Sequence, residues 1–395
     1  MTCYSCSSNT KEVFNFGSIP FVNSFFDSHE INKEKKVPLI LYVCMNCYLL
    51  QLSKVPAPPE LYDEYHHLSS ASKGNIKHLE DVAEFIQNIL GNDLKILEIG
   101  ANDMYLTNIL KNKNKALAID PAKNINSEDD NIIIDYFNLE SSKKIKNNFG
   151  EFDLIIGLNV FAHNDSFQEM FFAAKNLMHN NSVLLVEVAY AVDTIGQGLF
   201  DTIYHEHVCS YSLYSLKKIF EIVGLEINFV EHLDTQGGSL RLLLGKQKRK
   251  FELNNQLEKI TEEEVKIGIN SLEFYESITS KVKSKIQSLN SFIEKINNKN
   301  EGLLIIGAPA RGVVTLNSIN KINTSVVIVD DTILKQDKLM PGVHHPISNW
   351  DIDLNNYSDC IILSWNYAEY LKQKLQEKDF KGKIFVPFPN LKLIN

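Results

Sequence analysis

The sequence predicts an α/β protein in three parts: a small N-terminal β domain held by a metal ion, followed by two Rossmann-like sheets. Three observations carry that expectation. Two C-x2-C pairs, Cys3/Cys6 and Cys44/Cys47, stand near the N-terminus. An apolar run, Leu94-Lys95-Ile96-Leu97-Glu98-Ile99, enters a turn at Gly100, and a second run ends at Asp120, about twenty residues on. The same strand, turn, helix, strand figure recurs over Leu303–Ile306, Gly307–Gly312 and Ser325–Asp331. The expected parts are residues 1–72, 73–250 and 251–395.

The 395-residue chain is too long for a single core. Hydrophobic residues make up 44% and charged residues 23%, and no apolar run approaches the roughly 18 residues a bilayer demands. The opening Met1-Thr2-Cys3-Tyr4-Ser5-Cys6 has no basic region before an apolar one, so a cytoplasmic protein with no membrane partner is expected. A formal charge of -9 argues against a general nucleic-acid binder. The expected assembly is a monomer or small homo-oligomer.

In a cytoplasmic protein the paired C-x2-C turns read as a four-thiolate zinc site rather than disulfides. Cys3, Cys6, Cys44 and Cys47 fill a tetrahedral ion and leave no open position, so the zinc is expected to be structural. Only Cys209 and Cys360 stand outside the pairs. Pro38 to Val43 is a short strand entering the second turn. Pro56, Pro58 and Pro59 are expected to break regular structure and end this domain. The stretch from Leu61 to Ser70, which includes Tyr65, is aromatic and polar without periodicity. It reads equally as a connector over a neighbouring cleft and as a plain linker.

Ile76 to Leu90 has apolar residues at helical spacing. The strand ending at Ile99 then meets Gly100, and Ala116 to Ile119 is a second strand. Asp120 at its end is placed to accept from ribose hydroxyls. The dinucleotide pattern G-x-G-x-x-G is absent. Glu98-x-Gly100 with an acid at the next strand end is instead the usual S-adenosylmethionine arrangement. Asn131 to Phe137 reads as a third strand whose Asp135 would face the adenine amine. Phe152 to Val160 is a central fourth strand, ending in Asn159-Val160-Phe161-Ala162-His163. Ligands in such sheets bind beyond the strands' carboxyl ends, which points His163 into the cleft or leaves it a satisfied structural residue. A helix over 166–178 and a strand over 183–188 follow, then a helix over 213–223 and a closing pair, 226–233 and 239–244. Between the last two, Gln236-Gly237-Gly238-Ser239-Leu240-Arg241 is either a diphosphate cradle or a plain hairpin turn.

Phe200-Asp201-Thr202-Ile203-Tyr204-His205-Glu206-His207 concentrates two imidazoles, two carboxylates and a phenol. Such a cluster suits proton transfer, because histidine titrates near neutrality and a neighbouring Glu or Tyr can orient it. A metal site using His205 and His207, which share a face of an extended segment, is the competing reading. A structural polar cluster is the third.

Together these motifs resemble the three-domain sugar C-methyltransferases that build 3-C-methyl branched deoxysugars on nucleotide carriers. The resemblance rests on the paired C-x2-C turns, the Tyr65–Ser72 connector, Glu98-Ile99-Gly100-Ala101-Asn102-Asp103, Asn159 to His163, Phe200 to His207, Gly237 to Arg241, and Gly307-Ala308-Pro309-Ala310-Arg311-Gly312. It implies a central class I methyltransferase domain, with Glu98, Gly100, Asn102, Asp120, Asp135 and Asn159 at the S-adenosylmethionine site. It implies His207 as general base, with Tyr204, Glu206, His163 and Tyr65 lining the sugar pocket. It further implies a nucleotide-linked 4-keto-6-deoxy sugar as substrate, methylated at C3 through an enolate. Three positions depart from the family pattern. Met104 stands in place of Gly, Ala189 replaces Pro after Glu187, and Gln236 replaces His before the double glycine.

The last third opens with a long helical pattern, Leu257 to Ile296, whose charges form a solvated face. The second βαβ pattern lacks the Glu-x-Gly opening, so no second methyl donor is expected there. Strands at 361–365 and 383–388 complete its sheet. Two other functions use the same features: an O- or N-methyltransferase on a sugar nucleotide or small polar acceptor, and a non-catalytic sugar-nucleotide binding protein.

Overall fold

The computed structural model describes residues 1–53, 55–62, 68–71, 73–125, 129–299 and 301–394. The chain forms two compact units. The first comprises residues 1–11, 42–192 and 206–274, and the second residues 12–41, 193–205 and 275–395.

The first unit is built on a seven-stranded sheet. Its strands are β1 (Lys95–Ile99), β2 (Lys115–Asp120), β3 (Ile132–Ile134), β4 (Phe152–Leu158), β5 (Met178–Ala189), β6 (Glu226–Leu233) and β7 (Ser239–Gly245). They lie in the order β3-β2-β1-β4-β5-β7-β6. The first five are parallel, and β7 joins β5 antiparallel with β6 beyond it. Strands covered on both faces need continuous apolar runs, which Ile155-Ile156 and Val183-Leu184-Leu185-Val186 supply at 2% exposure or less.

One face is covered by the helix Lys73–Leu90 through Leu79, Val82, Ala83 and Ile86. The other carries Leu213–Val223, which starts in a reciprocal cap between Ser212 and Ser215 and stops at the left-handed Gly224. The order of strands reverses on either side of β1, so a crevice is expected beyond the ends of β1 and β4. Leu50–Leu52 pairs antiparallel with Cys209–Ser210. That pairing holds the segment after His207 beside the cysteine turns.

The second unit carries a six-stranded sheet, β10-β9-β8-β11-β12-β13. Here β8 is Leu303–Ile306, β9 Val326–Val329, β10 Ile347–Ser348, β11 Asp359–Ile362, β12 Lys383–Val386 and β13 Lys392–Leu393. All neighbours are parallel except β12 and β13. At the turn after β8, Asp330 accepts the Ala308 N–H at 2.6 Å and the Thr332 N–H at 2.8 Å, while the buried Lys335 donates to the Ala308 carbonyl at 2.9 Å. Burial pushes the Asp330 carboxyl up, but Lys335 and the backbone donors outweigh it and hold it below the usual range.

Four local expectations change. Pro58 opens a short helix, Pro58–Tyr62, because a proline at the first helical position loses no hydrogen bond. The third strand of the first sheet shrinks to Ile132–Ile134. The long helix splits into Leu257–Lys266 and Leu272–Lys299 around Gly268, whose φ of +77° ends the first piece. An eleven-residue strand, Thr10–Pro20, was not foreseen. Among the described residues no helix is long and apolar enough to cross a membrane.

Candidate active site

The turn after β1 is cramped. Gly100 has φ +68°, and a Cβ there would lie 2.8 Å from Val160 Cγ2. Asn102 and Met104 also adopt positive φ, at 50° and 60°. The left-handed backbone at Met104 explains why glycine suits that position in the resembling family. Met104 is paid for by packing, being 1% exposed beside Ala101 and Ala118.

Two carboxylates hold the turn. Asp120 accepts the Asn102 N–H and the Ala122 N–H, each at 2.9 Å. Each oxygen keeps a further lone pair for a ligand. Burial pushes the Asp120 carboxyl up, against those two donors. Glu98 is buried and accepts from the Thr107 hydroxyl, and burial raises its carboxyl to about 7. Asp103 accepts the Ser70 N–H through Oδ2 at 2.8 Å, and its buried Oδ1 meets no donor among the described residues. A tight backbone cradle with an unanswered buried acceptor fits a ligand that brings cationic or N–H groups.

The loop after β4 is fixed at four points. The Asn159 N–H donates to the Glu187 carbonyl at 2.8 Å, and the Tyr211 hydroxyl donates to the Phe161 carbonyl at 2.7 Å. The Cys209 N–H donates to the Ala162 carbonyl at 3.1 Å, and the Tyr62 hydroxyl to the His163 carbonyl at 3.3 Å. These bonds bring the His163 ring within 5.2 Å of the His207 ring, centroid to centroid. Tyr62 stacks on His163 at 6.1 Å with a 15° interplanar angle. Sequence reasoning missed Tyr62; its only signal was its place at the edge of the aromatic connector.

Other expected residues fall elsewhere. Asp135, half-buried just past β3, accepts the Tyr136 N–H at 2.8 Å. Glu206 is 3% exposed in the first unit, and Tyr204, 9% exposed, belongs to the second; the chain crosses between units after His205. Tyr65 lies outside the described residues. His205 is no partner to His207 in a metal site. Its Nε2 donates to the Val37 carbonyl at 3.1 Å, Phe21 packs edge-on against its ring, and burial lowers its pKa.

The diphosphate reading of Gly237 to Arg241 gives way to the hairpin. Arg241 stands in register between Glu187 and Glu231 on the flanking strands. Its guanidinium reaches both, at 2.7 and 2.9 Å, and lies over Phe85. His78 Nε2 also donates to Glu187 at 2.7 Å. Burial pushes the Glu187 carboxyl up, but His78 and Arg241 together hold it below the usual range.

The sulfur atoms of Cys3, Cys6, Cys44 and Cys47 all lie within 4.8 Å of one another. Backbone N–H groups of Ser5, Asn46 and Cys47 point at the sulfurs from 3.3–3.4 Å, as they do around bound thiolates. The donor set fits a tetrahedral zinc ion with no open position. Gln51, fully buried, accepts the Tyr4 N–H at 3.0 Å and ties the first turn to the adjoining strand.

Three family models match the chain in succession. The "Putative zinc binding domain" covers residues 3–62, the "Methyltransferase domain" 72–228, and the "C-methyltransferase C-terminal domain" 234–389. The C-methyltransferase NovU of Streptomyces niveus is 26% identical over 396 residues, spanning 97% of this chain and 94% of that protein. Solved structures align over less. Magnesium protoporphyrin IX methyltransferase (ChlM) from Synechocystis PCC 6803 covers 44% of this chain and 84% of its own at 14% identity, with a TM-score of 0.33. A SAM-dependent methyltransferase from Anabaena variabilis covers 46% and 88% at 12% identity, with a TM-score of 0.37.

Fold and site together define a Rossmann-like α/β methyltransferase that carries a four-cysteine knot. With its three parts matched in turn between residue 3 and residue 389, the chain is similar to C-methyltransferases over nearly its whole length.

Proposed function

We propose that this protein is an S-adenosylmethionine-dependent enzyme that methylates C3 of a nucleotide-linked 4-keto-6-deoxy sugar, with His207 as general base. The observation that carries the reading is the pairing of His207 with His163 at the mouth of β4, in the same unit as the Gly100 turn. Glu98, Gly100, Asn102, Asp120, Asp135 and Asn159 are the residues proposed to hold the donor. When bound, S-adenosylmethionine supplies a sulfonium-activated methyl group for the sugar carbon. The 1–72, 73–250 and 251–395 parts would serve as zinc knot, donor domain and sugar-nucleotide domain of a cytoplasmic enzyme.

The sugar dictates what the side chains must do. A C–H beside a hydroxyl is too weak an acid for imidazole, but one beside a 4-keto group loses its proton to give an enolate delocalised onto oxygen. His207 takes that C3 proton, and Glu206 keeps the imidazole in its basic tautomer. His163 donates to the enolate oxygen. The zinc knot plays no chemical part, since its four thiolates complete the ion's shell.

Incubation with labelled methyl donor and a panel of thymidine-, cytidine- and guanosine-linked 4-keto sugars tests the proposal. The label is expected on C3 by NMR and mass fragmentation. Label on an oxygen or nitrogen would replace the proposal with heteroatom methylation.

A further inference from the structure

Gln51 is a fully buried amide in the strand Leu50–Leu52, whose other two residues are buried and apolar. An apolar side chain would suit such a place, whereas a buried amide costs free energy unless its polar atoms are met. Here Oε1 accepts the Tyr4 N–H at 3.0 Å and Nε2 donates to the Thr2 carbonyl at 3.2 Å. The side chain pairs with the backbone on either side of Cys3 as a neighbouring strand would, and so brackets one sulfur of the four-cysteine cluster. The Tyr4 hydroxyl adds a bond to the Leu52 carbonyl at 3.1 Å.

The strand carrying Gln51 leads to one histidine, and the turn it grips leads to the other. Gln51 stands in register opposite Cys209, and the Leu52 N–H donates to the Val208 carbonyl at 2.9 Å, so the strand is bonded to the residue that follows His207. Ser5, between Cys3 and Cys6, accepts from Gln168 Nε2 at 3.1 Å through its hydroxyl. Gln168 lies in the first turn of the helix Phe167–Asn176, beyond the His163 loop. All of these residues belong to the first unit. The Cys209–Ala162 and Tyr211–Phe161 hydrogen bonds join the two histidine segments through residues that precede His163. The route through Gln51, Ser5 and Gln168 adds an anchor that follows it. A loop tied on both sides of a side chain holds that side chain's direction, where a single tie leaves it free to pivot.

We propose that Gln51 is a positioning residue, through which the four-cysteine knot sets the placement of the His163 and His207 rings without touching substrate. Its consequence for catalysis rests on the reading of His207 as general base; the clamp itself does not. NMR of the ligand-free full chain with 15N-labelled histidine tests it, the ring signals being assigned from His163→Gln, His207→Asn and His179→Gln. Gln51→Met keeps the side chain's bulk and removes both hydrogen bonds. It is expected to retain zinc by elemental analysis and to shift the His163 and His207 signals. His179, which meets Asp153 at the opposite ends of β4 and β5, should stay where it was. Gln168→Ala, at a half-buried position, should shift the His163 signal. Leu79→Val, in a separate core cluster, is the control for a general loss of stability and should shift neither. In turnover, Gln51→Met should lower kcat for methyl transfer by about 10-fold or more with KM for the donor unchanged, since a small misplacement of a reacting group suffices. Unmoved signals in Gln51→Met, or the same shifts in Leu79→Val, would overturn the clamp. If Gln51→Met does not fold or loses zinc, an unmoved His163 in Gln168→Ala would overturn it. Shifted signals in a protein that methylates no C3 would leave the clamp standing and remove the reading of His207; C3 methylation with unmoved signals would do the reverse.

Discussion

His163 and His207 lie with their ring centroids 5.2 Å apart and their planes tilted by 39°. Neither is near the other in sequence, and no metal ligand set includes them among the described residues. What joins them is backbone: Cys209, next but one to His207, donates to Ala162, the residue before His163. The pair is thus held by the framework that pins the β4 loop.

Gly100→Ala should damage donor binding more than folding. A Cβ in the left-handed turn carries strain and meets Val160, costing about 1–3 kcal/mol. Chemical denaturation is expected to show that loss, and calorimetry a donor affinity reduced by more than about 10-fold. An alanine variant with wild-type donor affinity would place the donor elsewhere.

Glu98 makes stability depend on pH. Burial raises its carboxyl from 4.5 to about 7, so between these values the folded chain keeps a proton that the unfolded chain has lost. The stability it contributes is full below about 4.5 and is lost as pH rises through about 7. Glu98→Gln should remove that slope and leave the variant more stable than wild type above neutrality, by up to about 3 kcal/mol. Urea denaturation of ligand-free protein from pH 5 to pH 8 checks this; parallel slopes in the two proteins would refute it.

Arg241→Met should unfold the protein easily. It leaves Glu187, at 0% exposure, with only His78 against its charge. Removing one partner of a buried pair typically costs about 3–5 kcal/mol. The double variant Glu187→Gln/Arg241→Met is expected to regain much of that, as measured by denaturation midpoints.

Elemental analysis should find stoichiometric zinc, and Cys44→Ser should lose it. Because Cys3, Cys44, Cys47 and Leu49 pack in the same core as Phe167, Phe171 and Cys209, the loss is expected to exceed about 4 kcal/mol. Full stability and activity in metal-free protein would show the knot to be dispensable.

The sequence made the two sheets legible because doubly covered strands such as Leu154–Ile156 and Leu303–Ile306 are continuous apolar runs. The cysteine turns were equally legible, since spacing alone brings four sulfurs together. Partners across strands were not: Arg241 meets Glu187 and Glu231 through sheet register, which local pattern does not encode. His205 and His207 looked alike in sequence. Only packing separates them, with His205 spent on the Val37 carbonyl and His207 beside His163. The Thr10–Pro20 strand was hidden by Asn15 and Gly17, where the Gly17 N–H bonds to the Asn15 side chain within the strand.

The most direct test of the central claim is deuterium wash-in. The 4-keto sugar nucleotide is incubated with enzyme in deuterated water without methyl donor, and C3 is followed by NMR. Wild-type enzyme is expected to exchange the C3 proton, and His207→Asn to slow both exchange and turnover by more than about 100-fold while still binding the donor. Exchange at the wild-type rate in His207→Asn, or methyl transfer to C3 with no His207-dependent exchange, would contradict it.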